Sequence, residues 1–152
     1  MKKQIIILTS ITLAVLFSIT SCSTTKNSKQ EKQKKEIVKK SENQELLNQI
    51  WIVDKIIIDG KTLVPKKTST VSFDEKNKVG IRSDCNSGGA NYKLNGNKIE
   101  ISSIMATKMF CPESTEKDYF KALQSAESFS IKKNILTLKL KENKGEIIFH
   151  KK

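Results

Sequence analysis

The sequence predicts an α+β fold: a single domain of mostly antiparallel, strongly curved sheet, with about eight strands and one helix packed on it. Short segments alternate apolar and polar residues at the two-residue period of half-buried strands. Turn signals separate these segments at regular intervals. Only the stretch around residues 112–127 changes to helical period. We expect this domain to occupy residues 45–152 of the 152-residue chain.

The first half of the domain supplies most of the predicted strands. An apolar, β-branched run at residues 51–58 ends at Asp59-Gly60, a strong hairpin signal. Asn95-Gly96 marks another hairpin turn, and Ser87-Gly88-Gly89 predicts a turn that needs positive φ. The alternating pairs that mark the strands between these turns are Val71 and Phe73, Val79 and Ile81, Tyr92 and Leu94, and Ile99 and Ile101.

The predicted helix follows residue 111. Pro112 suits a first helical position, and Glu113 and Glu116 would lie near the positive end of the helix dipole. One apolar helix face is predicted from Tyr119, Phe120, Leu123 and Ala126. After residue 127 the strand period returns, in Phe129 and Ile131, then Leu136, Leu138 and Leu140, then Ile147 and Phe149.

The N-terminus is typical of an exported lipoprotein. Lys2 and Lys3 precede an uncharged run at residues 4–25, whose apolar centre is too short to span a bilayer comfortably. Ile19-Thr20-Ser21-Cys22 resembles a lipobox. We therefore predict a signal peptide at residues 1–21 and lipid attachment at Cys22. The alternatives are an ordinary secretory signal with a chance cysteine, or an uncleaved anchor.

Residues 22–44 are predicted to form a flexible, lysine-rich tether. Residues 23–44 contain seven lysines and three acids but no aromatic residue, so they bury too little apolar surface to fold. The lysines either keep the tether solvated or contact anionic lipid headgroups. The net charge of +12 is spread along the chain, and the single arginine is Arg82. Without a focused basic patch, we expect no nucleic-acid partner.

These features predict a location in the cell envelope, with the membrane contacted through the N-terminal lipid. Ser23 follows the lipidated cysteine, where an aspartate commonly signals retention in the inner membrane. We therefore expect residence in the outer membrane, facing the periplasm, if the host has two membranes.

Several motifs together resemble a known family. They are Asp84-Cys85-Asn86, the run Met-Ala-Thr-Lys-Met-Phe-Cys at residues 105–111, then Glu116 with Phe120 and Leu123, and the opening Trp51. This combination is similar to the META domain of the HslJ-type heat-shock lipoproteins. Asp84 stands where the family commonly has glycine, and Ser87-Gly88-Gly89 stands where an aromatic is common. The resemblance implies a stress-related envelope protein without known catalytic residues.

Cys85 and Cys111 are predicted to form a disulfide. Lipidation of Cys22 leaves them as an even pair in an oxidising compartment, and the family resemblance agrees. The bond would enclose 25 residues and contribute about 3–4 kcal/mol in the chain-entropy model. The alternative is two buried free thiols. Two cysteines without a nearby histidine fall short of a zinc ligand set, so no metal site is predicted.

The residues give little support to catalysis. His150 is expected to be a solvated strand terminus, and Asp54 and Asp84 are single carboxylates without a visible partner. No nucleophile elbow or phosphate-binding loop is present in the sequence. We therefore expect no enzyme and no cofactor. Two functions remain: contact with an envelope protein partner, or binding of a lipid or small hydrophobic ligand inside the curved sheet. A filled core would favour the first and an apolar cavity the second.

Overall fold

The structure, a computed structural model, describes residues 43–152. The strands are β1 (Ile50–Ile58), β2 (Lys61–Leu63), β3 (Thr70–Phe73), β4 (Lys78–Arg82), β5 (Ser87–Asn95), β6 (Lys98–Ile101), β7 (Met105–Ala106), β8 (Ala126–Lys132), β9 (Ile135–Leu140) and β10 (Gly145–Lys151). Helix α1 (Glu116–Gln124) lies between β7 and β8, and a 3-10 turn (Lys141–Asn143) lies between β9 and β10. The signal peptide, Cys22 and nearly all of the tether fall outside the described residues.

Eight antiparallel strands close into a barrel. Around the ring the order is β1, β10, β9, β8, β6, β5, β4 and β3, and β3 pairs again with β1. The short strands β2 and β7 lie outside this ring, on β1 and β5. The seam between β6 and β8 has one residue pair, Lys98 with Ser128. The predicted α+β class and curved antiparallel sheet are confirmed. The sequence did not predict that the sheet closes into a barrel.

Large side chains fill the barrel. Alternate residues of each strand point inward, as the two-residue period requires. Many of the largest are less than 2% exposed, including Trp51, Phe73, Tyr119, Phe129 and Phe149. These side chains belong to one continuous hydrophobic cluster that draws on all eight ring strands, on helix α1 and on Leu46.

Two segments cover opposite ends of β3. At one end Leu46 is fully buried, the Trp51 Nε1–H donates to the Leu46 carbonyl (3.2 Å), and Leu47 pairs with Phe73. At the other end the hydroxyl of Tyr119, in α1, donates to the Thr70 carbonyl (3.1 Å). Because Thr70 and Phe73 are the first and last residues of β3, the helix and the Leu46 segment lie at different ends of the barrel.

Helix α1 begins later than predicted. Its first residue is Glu116, with Thr115 as N-cap, whereas Pro112 was expected at the first helical position. Glu113 has a φ of 59°, which is left-handed and incompatible with a helix through this residue. The helix ends before Ala126, which begins β8 and is not part of the helical face. Tyr119, Leu123 and the unpredicted Ala122 are buried against the barrel.

The backbone conformations of the turns explain why the sequence predicted the strand boundaries. Asp59 and Gly60 have φ values of 50° and 77°, and Gly96 has a φ of 62°, as two-residue hairpin turns require. In the part of the chain that the structure describes, no helix is long and apolar enough to cross a membrane.

Candidate functional site

Asn86 binds a loop that is distant in sequence. Its side-chain oxygen accepts hydrogen bonds from the Thr107 hydroxyl (2.7 Å) and the Met109 N–H (2.8 Å). Its amide nitrogen donates to the Met109 carbonyl (3.0 Å) and to Glu116 Oε1 (3.0 Å). Asn86 is 2% exposed. One buried amide therefore holds both backbone polar groups of Met109.

Glu116 connects the same turn to the start of α1. Its Oε2 accepts hydrogen bonds from the Asn86 N–H (2.8 Å) and the Ser83 hydroxyl (2.5 Å). The Ser83 Oγ in turn lies 3.0 Å from the Cys85 N–H. A carboxylate in the first helical turn is also favoured by the helix dipole. The turn at residues 83–86 and the helix N-terminus are thus fixed to each other.

Asp84 completes this polar cluster, which consists of Ser83, Asp84, Asn86 and Glu116. Its carboxylate accepts hydrogen bonds from the Ser114 hydroxyl (2.5 Å) and from the backbone and hydroxyl of Thr115 (3.0 Å each). Burial raises the pKa of Asp84, but these hydrogen bonds stabilise the charged form and outweigh it, so the pKa is lowered. No partner of Asp84 was visible in the sequence, and the structure supplies hydroxyl donors from Ser114 and Thr115.

A disulfide joins Cys85 to Cys111 in the structure. The two Cα atoms lie 5.9 Å apart, within the range that a disulfide can bridge. The bond attaches residue 111, which precedes α1, to the turn that contains the polar cluster. The helix N-terminus therefore has a covalent connection to the end of β4 in addition to its hydrogen bonds.

The disulfide loop, defined as residues 105–111, is also fixed at its other end. There β7 pairs with β5, with Ala106 opposite Gly88. A Cβ atom added to Gly88 would lie 2.5 Å from the Met105 carbonyl oxygen. The prediction of a positive-φ turn at Ser87-Gly88-Gly89 is wrong, because these residues belong to β5. Gly88 serves close approach of two strands, not turn geometry.

Three large apolar side chains of this loop face solvent. Met105 is 82% exposed, Met109 is 62% exposed and Phe110 is 91% exposed. Lys108 is exposed beside them. Sequence reasoning used this segment only as a family motif. A recognisable signal was present, since Met109-Phe110 are adjacent apolar residues outside any strand or helix period.

The loop between β2 and β3, residues 64–69, contacts the segment that follows the disulfide loop. Lys66 Nζ forms an ion pair with Glu113, two residues after the disulfide. The side-chain hydrogen bond and the charge of Lys66 both lower the pKa of Glu113. Val64, which lies two residues before Lys66 in the same loop, is 65% exposed. Both partners of the ion pair face solvent, so it contributes little to stability.

His150 and Asp54 form a separate pair. His150 Nδ1 lies 2.5 Å from Asp54 Oδ1, with each side chain about two-fifths exposed. Asp54 is the extra residue at a β-bulge in β1, between Val53 and Lys55, and His150 lies in β10. His150 lies one residue before the end of β10 with 44% of its side chain exposed, as expected for a solvated strand terminus. Asp54 has a partner that the sequence did not reveal. The pair shares no hydrogen-bonding group with the polar cluster.

The described surface contains shallow depressions that are open to solvent. One of about 420 Å³ is lined by residues including Asn48 and Asp74. One of about 280 Å³ lies between Val79 and Met105, and another of about 280 Å³ lies beside the β6–β8 seam. Among residues 43–152, no group of three His, Cys, Asp or Glu side chains is placed to hold a metal ion.

The barrel, its covering helix and the disulfide-held loop define a class of small domains. A family model described as the META domain matches residues 44–152. The chain belongs to the META domain family. The predicted resemblance is thereby confirmed. A search of curated proteins finds no match.

Solved structures of similar fold support the architecture. The NMR structure of a protein from Burkholderia xenovorans has a TM-score of 0.60 at 19% identity, over 72% of this chain and 85% of that one. A second NMR structure has a TM-score of 0.54 at 21% identity, over 70% and 92% of the two chains. A crystal structure of a DUF4847 family protein from Bacteroides vulgatus reaches 0.46 at 18% identity, over 54% and 57%, too low to support a conclusion.

Proposed function

We propose that this protein is a lipid-anchored, non-catalytic protein of the cell envelope, related to stress tolerance, that acts by contacting another envelope protein through its disulfide loop. One observation carries the proposal. Met105, Met109 and Phe110 are exposed to solvent on a segment that is fixed by strand pairing, by Asn86 and by the disulfide. A loop that was exposed for lack of contacts would have none of these constraints.

The filled interior favours surface contacts over the alternative of a ligand inside the barrel. Trp51, Phe129 and Phe149 occupy the interior between the strands, and Tyr119 covers one end. Small barrels that hold a ligand need an unoccupied centre. A lipid or hydrophobic molecule would have to displace these side chains, which close packing makes costly.

The chemistry of the loop specifies the kind of partner. Methionine adapts its shape to irregular apolar surfaces, and aromatic residues often dominate binding energy at interfaces. Lys108 lies between the two methionines, and residues 45–152 contain 19 basic against 13 acidic residues. The best match is a protein that presents an apolar pocket with an acidic rim.

Anchoring at Cys22 would hold the domain near its partner at the membrane. Mass spectrometry of the mature protein should find Cys22 at the N-terminus with a diacylglycerol-sized adduct, and Cys22→Ala should release the chain from the membrane. An unmodified N-terminus at another position would contradict the anchor. Fractionation of a two-membrane host should place the protein in the outer membrane.

The contact surface is tested by cross-linking in intact envelopes with the lipidated protein as bait. Phe110→Ser should reduce capture of the partner by at least about tenfold, since aromatic anchors are worth about 2 kcal/mol or more. Ile135→Ser is the matched control because Ile135 is an exposed apolar residue of β9, away from the disulfide loop, and it should leave capture unchanged. Equal capture by both variants would exclude the loop as the contact surface.

A further inference from the structure

The methionines of the domain have an unusual distribution. The chain contains three, of which Met1 belongs to the predicted signal peptide. The other two, Met105 and Met109, both lie on the disulfide loop with 82% and 62% of their surface exposed. The barrel interior is built from other apolar residue types. Every thioether in residues 43–152 is therefore at the proposed contact surface and accessible to small molecules.

We propose that Met105 and Met109 are an oxidant-modification site that controls the contact surface. The reagent class is a hydroperoxide, with hydrogen peroxide as the simplest member. A sulfur lone pair attacks one peroxide oxygen, an S–O bond forms and the O–O bond breaks. The proton of the attacked oxygen passes, through solvent, to the departing oxygen, which leaves as water from hydrogen peroxide or as an alcohol from an organic hydroperoxide. Sulfur is oxidised by two electrons and the peroxide is reduced, which yields methionine sulfoxide.

The geometry confines this reaction to the surface. Cys85 and Cys111 are already joined, so no free thiol of the described chain competes for the oxidant. The backbone N–H and carbonyl of Met109 are bound by Asn86, which leaves its side chain as the part that faces solvent. Oxygen added to the exposed sulfur breaks none of these hydrogen bonds. The modification thus changes the surface while the barrel keeps its fold.

The consequence rests on the function proposed above. A sulfoxide is polar, so oxidation places two strong hydrogen-bond acceptors beside Phe110 at a surface meant for an apolar pocket. Binding then requires desolvation of these groups, and the partner is released. Methionine sulfoxide reductases reverse the modification, so the contact can be restored.

The test uses the mature chain and hydrogen peroxide. Peptide mass mapping should show one added oxygen on Met105 and on Met109 while the barrel remains folded by circular dichroism. Retention on a phenyl-substituted resin should fall after oxidation, to the level of a Met105→Gln, Met109→Gln double variant that carries polar side chains without oxidation. A Met105→Leu, Met109→Leu double variant keeps the apolar surface and should retain its binding to the resin after peroxide treatment.

The outcomes separate the two proposals. Partner capture should fall about tenfold or more when the wild-type chain is oxidised, a loss equivalent to about 1.4 kcal/mol, and should be unaffected in the double Leu variant. Methionines that stay unmodified in the folded protein, equal losses in the Leu variant, or unchanged capture by oxidised protein would each overturn the modification site as a switch. If unoxidised protein captures no partner through Phe110, the proposed function fails, and the mass and resin measurements still decide the oxidation proposal.

Discussion

Asn86 shows at the scale of one residue how a short side chain can organise a distant loop. Its amide pairs with the N–H and C=O of Met109, 23 positions away, much as a neighbouring strand would. A carboxylate could not do this, because it lacks the donor that reaches the Met109 carbonyl and Glu116. The pair Cys85-Asn86 therefore combines a covalent and a hydrogen-bonded attachment of the same loop.

Asn86→Ala should lower the free energy of unfolding by about 2–4 kcal/mol, because partly buried groups of Met109 and Glu116 would lose their partner. Urea denaturation measures the change. Asn91→Ala is the control, since Asn91 is an exposed asparagine whose Oδ1 accepts a hydrogen bond from Lys78 Nζ, and it should change stability by less than about 0.5 kcal/mol. Similar effects of both substitutions would contradict the role assigned to Asn86.

Asp84 makes stability depend on pH in a definite direction. Its folded-state pKa is lowered from the ordinary value of 3.8, so its contribution is complete above that value. The contribution is lost as the pH falls through the folded-state pKa, because the unfolded chain binds the proton more readily. Asp84→Asn should therefore reduce the loss of unfolding free energy between neutral and acidic pH, as measured by urea titrations at each pH. An unchanged pH profile would mean that Asp84 is not a stabilising carboxylate.

At the scale of elements, the sequence predicted those that bury alternate residues. The ring strands were recognised because burial on one face imposes a two-residue period, as in Lys98–Ile101. The hairpin predicted at Asp59-Gly60 joins β1 to β2, but the extents of β2 and β7 could not be predicted, since three and two residues are too short to show a period. The start of α1 was misplaced because Asp84, from a distant turn, binds Ser114 and Thr115 and keeps them outside the helix. Local sequence does not contain that interaction.

The candidate site could be predicted only in part, for a related reason. The cysteine pair and Asn86 belong to recognisable motifs, but their hydrogen-bonding partners come from residues 107–116. Exposure of Phe110 depends on how this loop packs, and a phenylalanine is more often buried than exposed. The pairing of His150 with Asp54 arises from the register of β10 on β1.

The disulfide links two elements, and its removal tests that link. Cys111→Ser should lower the free energy of unfolding by about 2–5 kcal/mol, as loss of native disulfides does in small exported domains. Amide exchange should increase most in residues 105–115, since these lose their covalent attachment. Non-reducing peptide mapping of the wild-type chain should recover Cys85 linked to Cys111. Two free thiols in the mature protein would contradict the bond.

At the scale of the whole molecule, the ring closes where β10 meets β1. The pairing runs from Trp51 opposite Lys151 to Ile58 opposite Gly145. Residues almost a hundred positions apart are thus neighbours, a relationship that alternation within each strand does not reveal. The sequence therefore predicted a curved sheet, but the closure that makes it a barrel could not be derived from local pattern.

Gly145 provides a test of closure. Its φ is 140°, and an added Cβ would lie 2.0 Å from the Ile57 carbonyl oxygen. Gly145→Ala should lower the free energy of unfolding by more than about 2 kcal/mol, through backbone strain and displacement of β10. Gly60→Ala has positive φ but open space and should cost about 1–2 kcal/mol. Thermal and urea unfolding would measure both, and equal losses would exclude a steric role for Gly145.

Closure through β10 also orders the events of biogenesis. Strand β1 is the first of the described strands to be synthesised, yet its partner along seven residue pairs is the last. Until β10 (Gly145–Lys151) has been synthesised, β1 lacks its neighbouring strand, and its buried side chains, among them Trp51 and Ile56, lack part of the core in which they pack. Under the export proposed above, the barrel would therefore close only after Gly145–Lys151 has been delivered across the membrane.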